Sequence, residues 1–380
     1  MANYELILKG GRVIDPSQGV DAVLDIGFSG GTVAELSKDI PVTAGADIRD
    51  VSGLTVVPGL IDMHTHVYWG GTSLGIDAEE FCRRSAVTTA IDTGSAGPGN
   101  FAGFRKHVIE KSDVRILAYL HISHAGIFGF SDRIMVGESE DMRMMDPLTC
   151  VEVANENQDM IVGIKVRLGR WASGNQGMAP FEYALQVAEE SELPMMVHID
   201  DPPPSYSEVV ERLRTGDVLT HCFRPFPNTP VTNDGRVRPE VLAARQRGVR
   251  FDIGHGMGSF SFKVARVMLE KGFYPDTISS DIHQLCINGP AFDQVTTLSK
   301  FLNLGMPLNE VIRASTENAA SVLGKQELGS LKPGSVGDAS ILKIEEGEFE
   351  FFDAVDEKLT GDRKLIADSV VLGGKWWHPI

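Results

Sequence analysis

Two histidines, His64 and His66, close an apolar run that opens Val57-Pro58-Gly59-Leu60-Ile61-Asp62-Met63. Along an extended strand, alternate side chains share a face. Both imidazoles therefore point one way, Thr65 points the other, and the pair can reach one metal ion. Two satisfied structural histidines are the plainer alternative, and the rest of the chain decides between them. His198 follows Met195-Met196-Val197, His221 follows Val218-Leu219-Thr220, and Asp281 follows Ile278-Ser279-Ser280. Lys165 stands inside Ile161-Val162-Gly163-Ile164-Lys165-Val166-Arg167. Imidazoles and carboxylates are metal ligands. A lysine in an apolar setting is costly to bury or gives up its proton. As core residues these are odd choices, and together they read as one site.

Such residues need elements to bring them together. Between Leu54 and Gly324 apolar strand-like runs alternate with amphipathic ones. The strands are expected at Val56–Thr65, Thr88–Thr93, Arg115–Ile122, Ile161–Arg167, Pro194–Ile199, Val218–Cys222, Val249–Ile253 and Thr277–Ser280. Helices are expected at Phe181–Ser191, Glu208–Leu213, Pro239–Gly248 and Ser261–Gly272. This alternation predicts an α/β fold, a parallel (β/α)8 barrel of the TIM type. Near-continuous apolar strands fit a sheet buried on both faces. An open doubly wound sheet is the rival, but no glycine-rich phosphate turn follows the first strand. In a barrel, chemistry sits at the C-terminal ends of strands, where the candidate ligands stand. The two ends of the chain read as short strands and turns, without helical period. They predict one discontinuous β-sandwich domain from residues 1–56 and 325–380, flanking a barrel over 57–324.

Composition narrows the partners. The chain has 380 residues, 42% hydrophobic and 23% charged, enough for a large barrel with an accessory domain. A net charge of -17 argues against nucleic acid or an anionic membrane surface as the main partner; the partner expected is a small-molecule substrate. No run reaches the length of a membrane span, and Met1-Ala2-Asn3-Tyr4-Glu5 lacks the features of a signal peptide. Cys82, Cys150, Cys222 and Cys286 are scattered and form no CxxC, so they are expected reduced in a cytoplasmic protein. A homo-oligomer is compatible with all of this.

His-x-His followed by Lys, His, His and Asp on successive strands resembles the amidohydrolase superfamily, in its binuclear branch. The run at 57–66 and the return segment Gly334-Ser335-Val336-Gly337-Asp338-Ala339 carry the resemblance across essentially the whole chain. His121-Ile122-Ser123-His124-Ala125-Gly126 and Gly254-His255-Gly256 carry a closer likeness to the deacetylase-type subgroup, whose members often bear the dihydroorotase label.

The resemblance implies two divalent metal ions, with zinc suited to the nitrogen-rich ligands. His64, His66 and Asp281 would hold the more buried ion, and His198 and His221 the more exposed one. Lys165 would bridge them as a carbamate formed with carbon dioxide. Asp281 would also shuttle a proton as general acid and base. Substrate contacts are expected from His124, from one of Arg167, Arg170 and Arg224, and from His255 and Asn288; His283 would share in the wall of loop 8. The function expected is removal of an acyl group, acetyl in the leading case, from a small carboxylate-bearing ester or amide. The alternative is a cyclic amidohydrolase acting on a dihydroorotate- or hydantoin-like ring. Val67-Tyr68-Trp69-Gly70-Gly71 after His66 lacks the arginine usual in dihydroorotases. Deamination is a third option, disfavoured by the lysine. A structural relative without catalysis is disfavoured by the complete ligand set.

Overall fold

The computed structural model describes residues 4–42 and 45–377. Met1–Asn3, read above for a leader, lie outside them. The chain opens with β1 (Leu6–Asp15), β2 (Val20–Ser29), β3 (Thr32–Ser37), β4 (Asp47–Asp50) and β5 (Thr55–Pro58). The parallel series follows: β6 (Leu60–Thr65), β7 (Val87–Thr93), β8 (Arg115–His121), β9 (Ile161–Leu168), β10 (Met195–Ile199), β11 (Val218–Leu219) and β12 (Arg250–Phe251). It ends with β13 (Ala339–Phe352), β14 (Lys358–Leu372) and β15 (Lys375–Trp377).

Two sheets result. Strands β6 to β12 pair in sequence order, all parallel. The segment after β12 closes the ring through parallel bridges Asp252–Thr277 and Thr65–Ile282. The other sheet runs β15-β14-β13-β5-β1-β2-β3, with β4 on β1, so both ends of the chain build it. The fold is thus the expected α/β barrel with a terminal β-sheet unit.

The first expected strand, Val56–Thr65, is in fact two. Gly59 stands between them, at a close approach where a β-carbon would lie 2.2 Å from Thr88 Oγ1. On one side β5 pairs with β13 and β1; on the other β6 starts the barrel. The last barrel strands are shorter than expected, and the eighth forms bridges only. His221 and Asp281 adopt left-handed backbone, φ 61° and 49°, which ends a ladder. The four expected helices form as Ala179–Glu190, Tyr206–Arg212, Pro239–Gln246 and Phe262–Glu270. Ser205 and Glu208 make a reciprocal capping box at the second of these.

One large apolar core joins the barrel to its helices, and a smaller one, with Leu6, Ile26, Phe28, Val56, Ile341 and Val371, fills the terminal unit. All four cysteines are buried and free. Among the described residues no helix is long and apolar enough to cross a membrane.

Candidate metal centre and active site

Strand alternation turns His64 and His66 to one side, against Asp281. Their Nε2 atoms lie 3.3 and 3.2 Å from Asp281 Oδ1. The three residues are buried, and their ligand atoms fall within 4.8 Å of one another. Asp281 can sit there because residue 256 is glycine: a β-carbon on Gly256 would stand 2.2 Å from Asp281 Oδ2. Burial, strengthened by neighbouring cations, holds the His64 imidazolium far below its ordinary range. Burial also takes His66 down to about 3 and lifts Asp281 to about 6. Neutral imidazoles are the form that binds metal. His66 is oriented by Ser95, whose Oγ lies 2.9 Å from Nδ1. Behind His64, Asp62 accepts the backbone N–H groups of His64 and Ser280 and the Ser280 hydroxyl, joining β6 to the closing segment.

A second donor group faces the first. His198 Nδ1 and His221 Nε2 are 2.7 Å apart, both rings neutral through burial. Lys165 completes the set. It is wholly buried, and among the described residues its Nζ has no hydrogen-bond partner. Burial brings the amine down to about 7. Lys165 lines the same cavity as His64, His66, His198, His221 and Asp281. Gly94, at φ +90°, leaves room for it: a β-carbon there would stand 2.7 Å from Lys165 Cγ. An orphaned buried amine amid neutral imidazoles and one carboxylate fits a metal centre better than a core.

These groups open into a cavity of about 400 Å³ with Leu74, Ile127, Phe130, Met135, Trp171 and Met257 on its apolar side. Arg167 reaches it. Its Nη1 donates to Glu138 Oε2 at 3.0 Å, and its guanidinium lies 5.0 Å from the Phe130 ring centre. Arg224 also lines the cavity but is committed to the carbonyls of Asp200 and Pro227, at 2.9 and 2.5 Å, and to Asp201. Arg170, His124 and Asn288 are exposed and stand outside the cavity lining. His255 is buried outside it, with Lys300 Nζ 2.7 Å from its Nε2. Loop 8 supplies His283, which lines the cavity.

Besides the apolar lining, Asp200, Glu138 and Trp171 are residues in or beside the cavity that escape sequence reasoning. Asp200 lines it, lifted to about 6 by burial, and accepts the Trp171 and Ala172 N–H groups. His198-Ile199-Asp200 spaces two polar residues as His64 and His66 are spaced, a signal that was present. Glu138, buried between Arg167 and His121 Nε2 at 3.2 Å, lies in a long loop without periodicity. Trp171, exposed yet lining the mouth, has no pattern to mark it.

A parallel barrel with a buried histidine–carboxylate cluster at the ends of its strands defines a barrel enzyme with a candidate metal centre. Residues 241–377 match the model of the Amidohydrolase family. A deacetylase of Brucella anthropi is 36% identical over 324 residues, 85% of this chain and 80% of that one. A dihydroorotase crystal structure superposes with a TM-score of 0.90 at 33% identity, covering 98% of each chain. An adenine deaminase structure does so with a TM-score of 0.91 at 28% identity, over 99% of this chain and 100% of that one. The chain belongs to the amidohydrolase family and is a hydrolase.

Proposed function

We propose that this hydrolase removes an acyl group, acetyl in the leading case, from a small carboxylate-bearing ester or amide. The observation that carries the reading is Lys165: an unpartnered, wholly buried amine set among four neutral histidines and Asp281. His64, His66 and Asp281 would hold one divalent ion, zinc by ligand chemistry, and His198 and His221 a second. Lys165, brought down to about 7 and so neutral in a large share of molecules at pH 7, would attack carbon dioxide. The new N–C bond and the loss of one proton would make a carbamate anion, a further oxygen ligand beside the histidines. Bound there, the ions would polarise the acyl carbonyl and acidify water.

The protein's own groups do the rest. Asp281 accepts a proton from the attacking water and delivers it to the leaving oxygen or nitrogen. Arg167, braced by Glu138, offers its remaining N–H groups to the substrate carboxylate. The apolar wall beside it takes the substrate's hydrocarbon part and limits water. Similarity to the deacetylase supports acyl transfer to water.

A cyclic amidohydrolase is the second reading, favoured by the likeness to the dihydroorotase structure. Hydrolysis by zinc- and bicarbonate-loaded enzyme separates them. The panel holds N-acetyl amino acids, O-acetyl α-hydroxy acids, dihydroorotate and hydantoins, in both enantiomers. Stereoselective acetate release is the expected result. Ring opening without acetate release would overturn the proposal.

A further inference from the structure

A carboxylate lies beneath the candidate metal centre, and the mechanism above makes no use of it. Asp252, just past β12, is wholly buried. Its Oδ1 accepts the hydroxyls of Thr277 and Ser279, at 2.6 and 2.7 Å, and its Oδ2 that of Thr220, at 2.7 Å. Thr220 Oγ1 also lies 2.8 Å from His64 Nδ1. A hydroxyl carries one proton. Thr220 gives its proton to Asp252, so its oxygen must accept one from His64 Nδ1. His64 is thereby the Nδ1–H tautomer, and its Nε2 lone pair faces the site beside Asp281.

A second arm leaves the same carboxylate. Ser279 Oγ, its proton on Asp252, accepts the Gly254 N–H at 2.9 Å. The Gly254 carbonyl lies 2.7 Å from His221 Nδ1 and takes its N–H, which frees Nε2 toward His198. The packing leaves little slack. Gly254 has φ +49°, and a β-carbon there would stand 2.4 Å from Thr220 Oγ1 and 2.8 Å from His221 Nδ1. His66 is held separately, by Ser95.

We infer that Asp252 is a positioning residue that sets one histidine of each donor group, His64 through Thr220 and His221 through Ser279 and the Gly254 peptide. The inference rests on the two-metal reading for its consequence and on the hydrogen bonds alone for the tautomer.

The test compares wild type with Thr220→Val, which removes the hydroxyl at nearly constant shape, and Thr220→Ser, which restores it. Zinc affinity is measured by chelator competition. The His64 tautomer is read from imidazole nitrogen NMR of the metal-free protein, with His66 as the internal control. Loss of the bridge is expected to weaken zinc about 10- to 100-fold and to mix the His64 tautomers, while the serine variant keeps both and His66 is unmoved. A valine variant with zinc affinity within about twofold of wild type and His64 still Nδ1–H would overturn the inference. If wild type binds no zinc, the metal reading fails, and the tautomer spectra alone uphold or overturn the positioning role. Asp252→Asn is a supporting variant; the Thr220 pair decides if it does not fold.

Discussion

Asp281 and Arg167 illustrate how the site divides its work between residues. Asp281 Oδ1 lies beside both His64 and His66, and the two roles proposed for Asp281, metal ligand and proton carrier, are separable by substitution. Asp281→Asn keeps a ligand oxygen but cannot accept the proton. It is expected to retain zinc by elemental analysis and to lose turnover by about 100-fold or more. A variant with near-normal turnover would remove Asp281 from the proton path. Arg167→Met keeps bulk and loses the charge. Binding of the substrate carboxylate should weaken by about 2 kcal/mol, roughly a 30-fold fall in kcat/KM, read most strongly on anionic substrates. An equal loss on a neutral amide analogue would assign Arg167 to packing instead. Among the arginines, the sequence supplied candidates but no orientation. Arg170 turns to solvent, and Arg224 is absorbed by backbone carbonyls.

At the scale of elements, alternation along β6 made His64 and His66 legible as a pair, because period two is a strong local signal. Single polar residues within or closing apolar runs marked Lys165, His198, His221 and Asp281 as candidates too, and all four line one cavity. The ends of the barrel were less legible. Left-handed backbone at His221 and Asp281 shortens what reads as continuous strand. Gly59 hides the switch from terminal sheet to barrel inside one apolar run, since nothing local announces the close approach of Thr88. Glu138 sits in a loop whose sequence carries no period. Gly94 shows the reverse dependence, an element serving a residue. Gly94→Ala would force a β-carbon against Lys165 and His121, in a backbone region that disfavours alanine. The expected outcome is lower metal content with the fold retained, checked by circular dichroism beside elemental analysis.

Across the whole molecule, hydrogen bonds stitch the terminal sheet to the barrel and to its outer helices, with Leu365 N donating to Ser299 Oγ and Phe262 N to Asp353 Oδ2. Gly59 N donates to Asp338 O, Leu60 N to Ser340 Oγ, and Arg115 pairs with Asp338 at 2.5 Å. The terminal unit has its own buried charge. Asp25 is 3% exposed and accepts from Lys9 Nζ at 2.5 Å and from Gly10 and Ile40 N–H, each at 2.9 Å. Burial raises its pKa, but the Lys9 ammonium and the two N–H groups outweigh that and hold it below its ordinary value. The folded value lies under the unfolded one. The contribution is therefore complete above about pH 4 and disappears as pH falls through the folded value. Asp25→Ala should cost about 2 kcal/mol at neutral pH, because three donors lose their acceptor, and the gap to wild type should narrow in acid. Urea unfolding across pH checks this.

The central claim is a two-ion centre built around Lys165, and zinc content per chain tests it most directly. Wild type and Lys165→Ala are loaded with zinc and bicarbonate, freed of excess metal and analysed. The account predicts two zinc ions in wild type. In the variant it predicts one or fewer, with activity lost and partly restored by small carboxylic acids that occupy the place of the carbamate. A variant that holds as much zinc as wild type and turns over substrate as fast would contradict it.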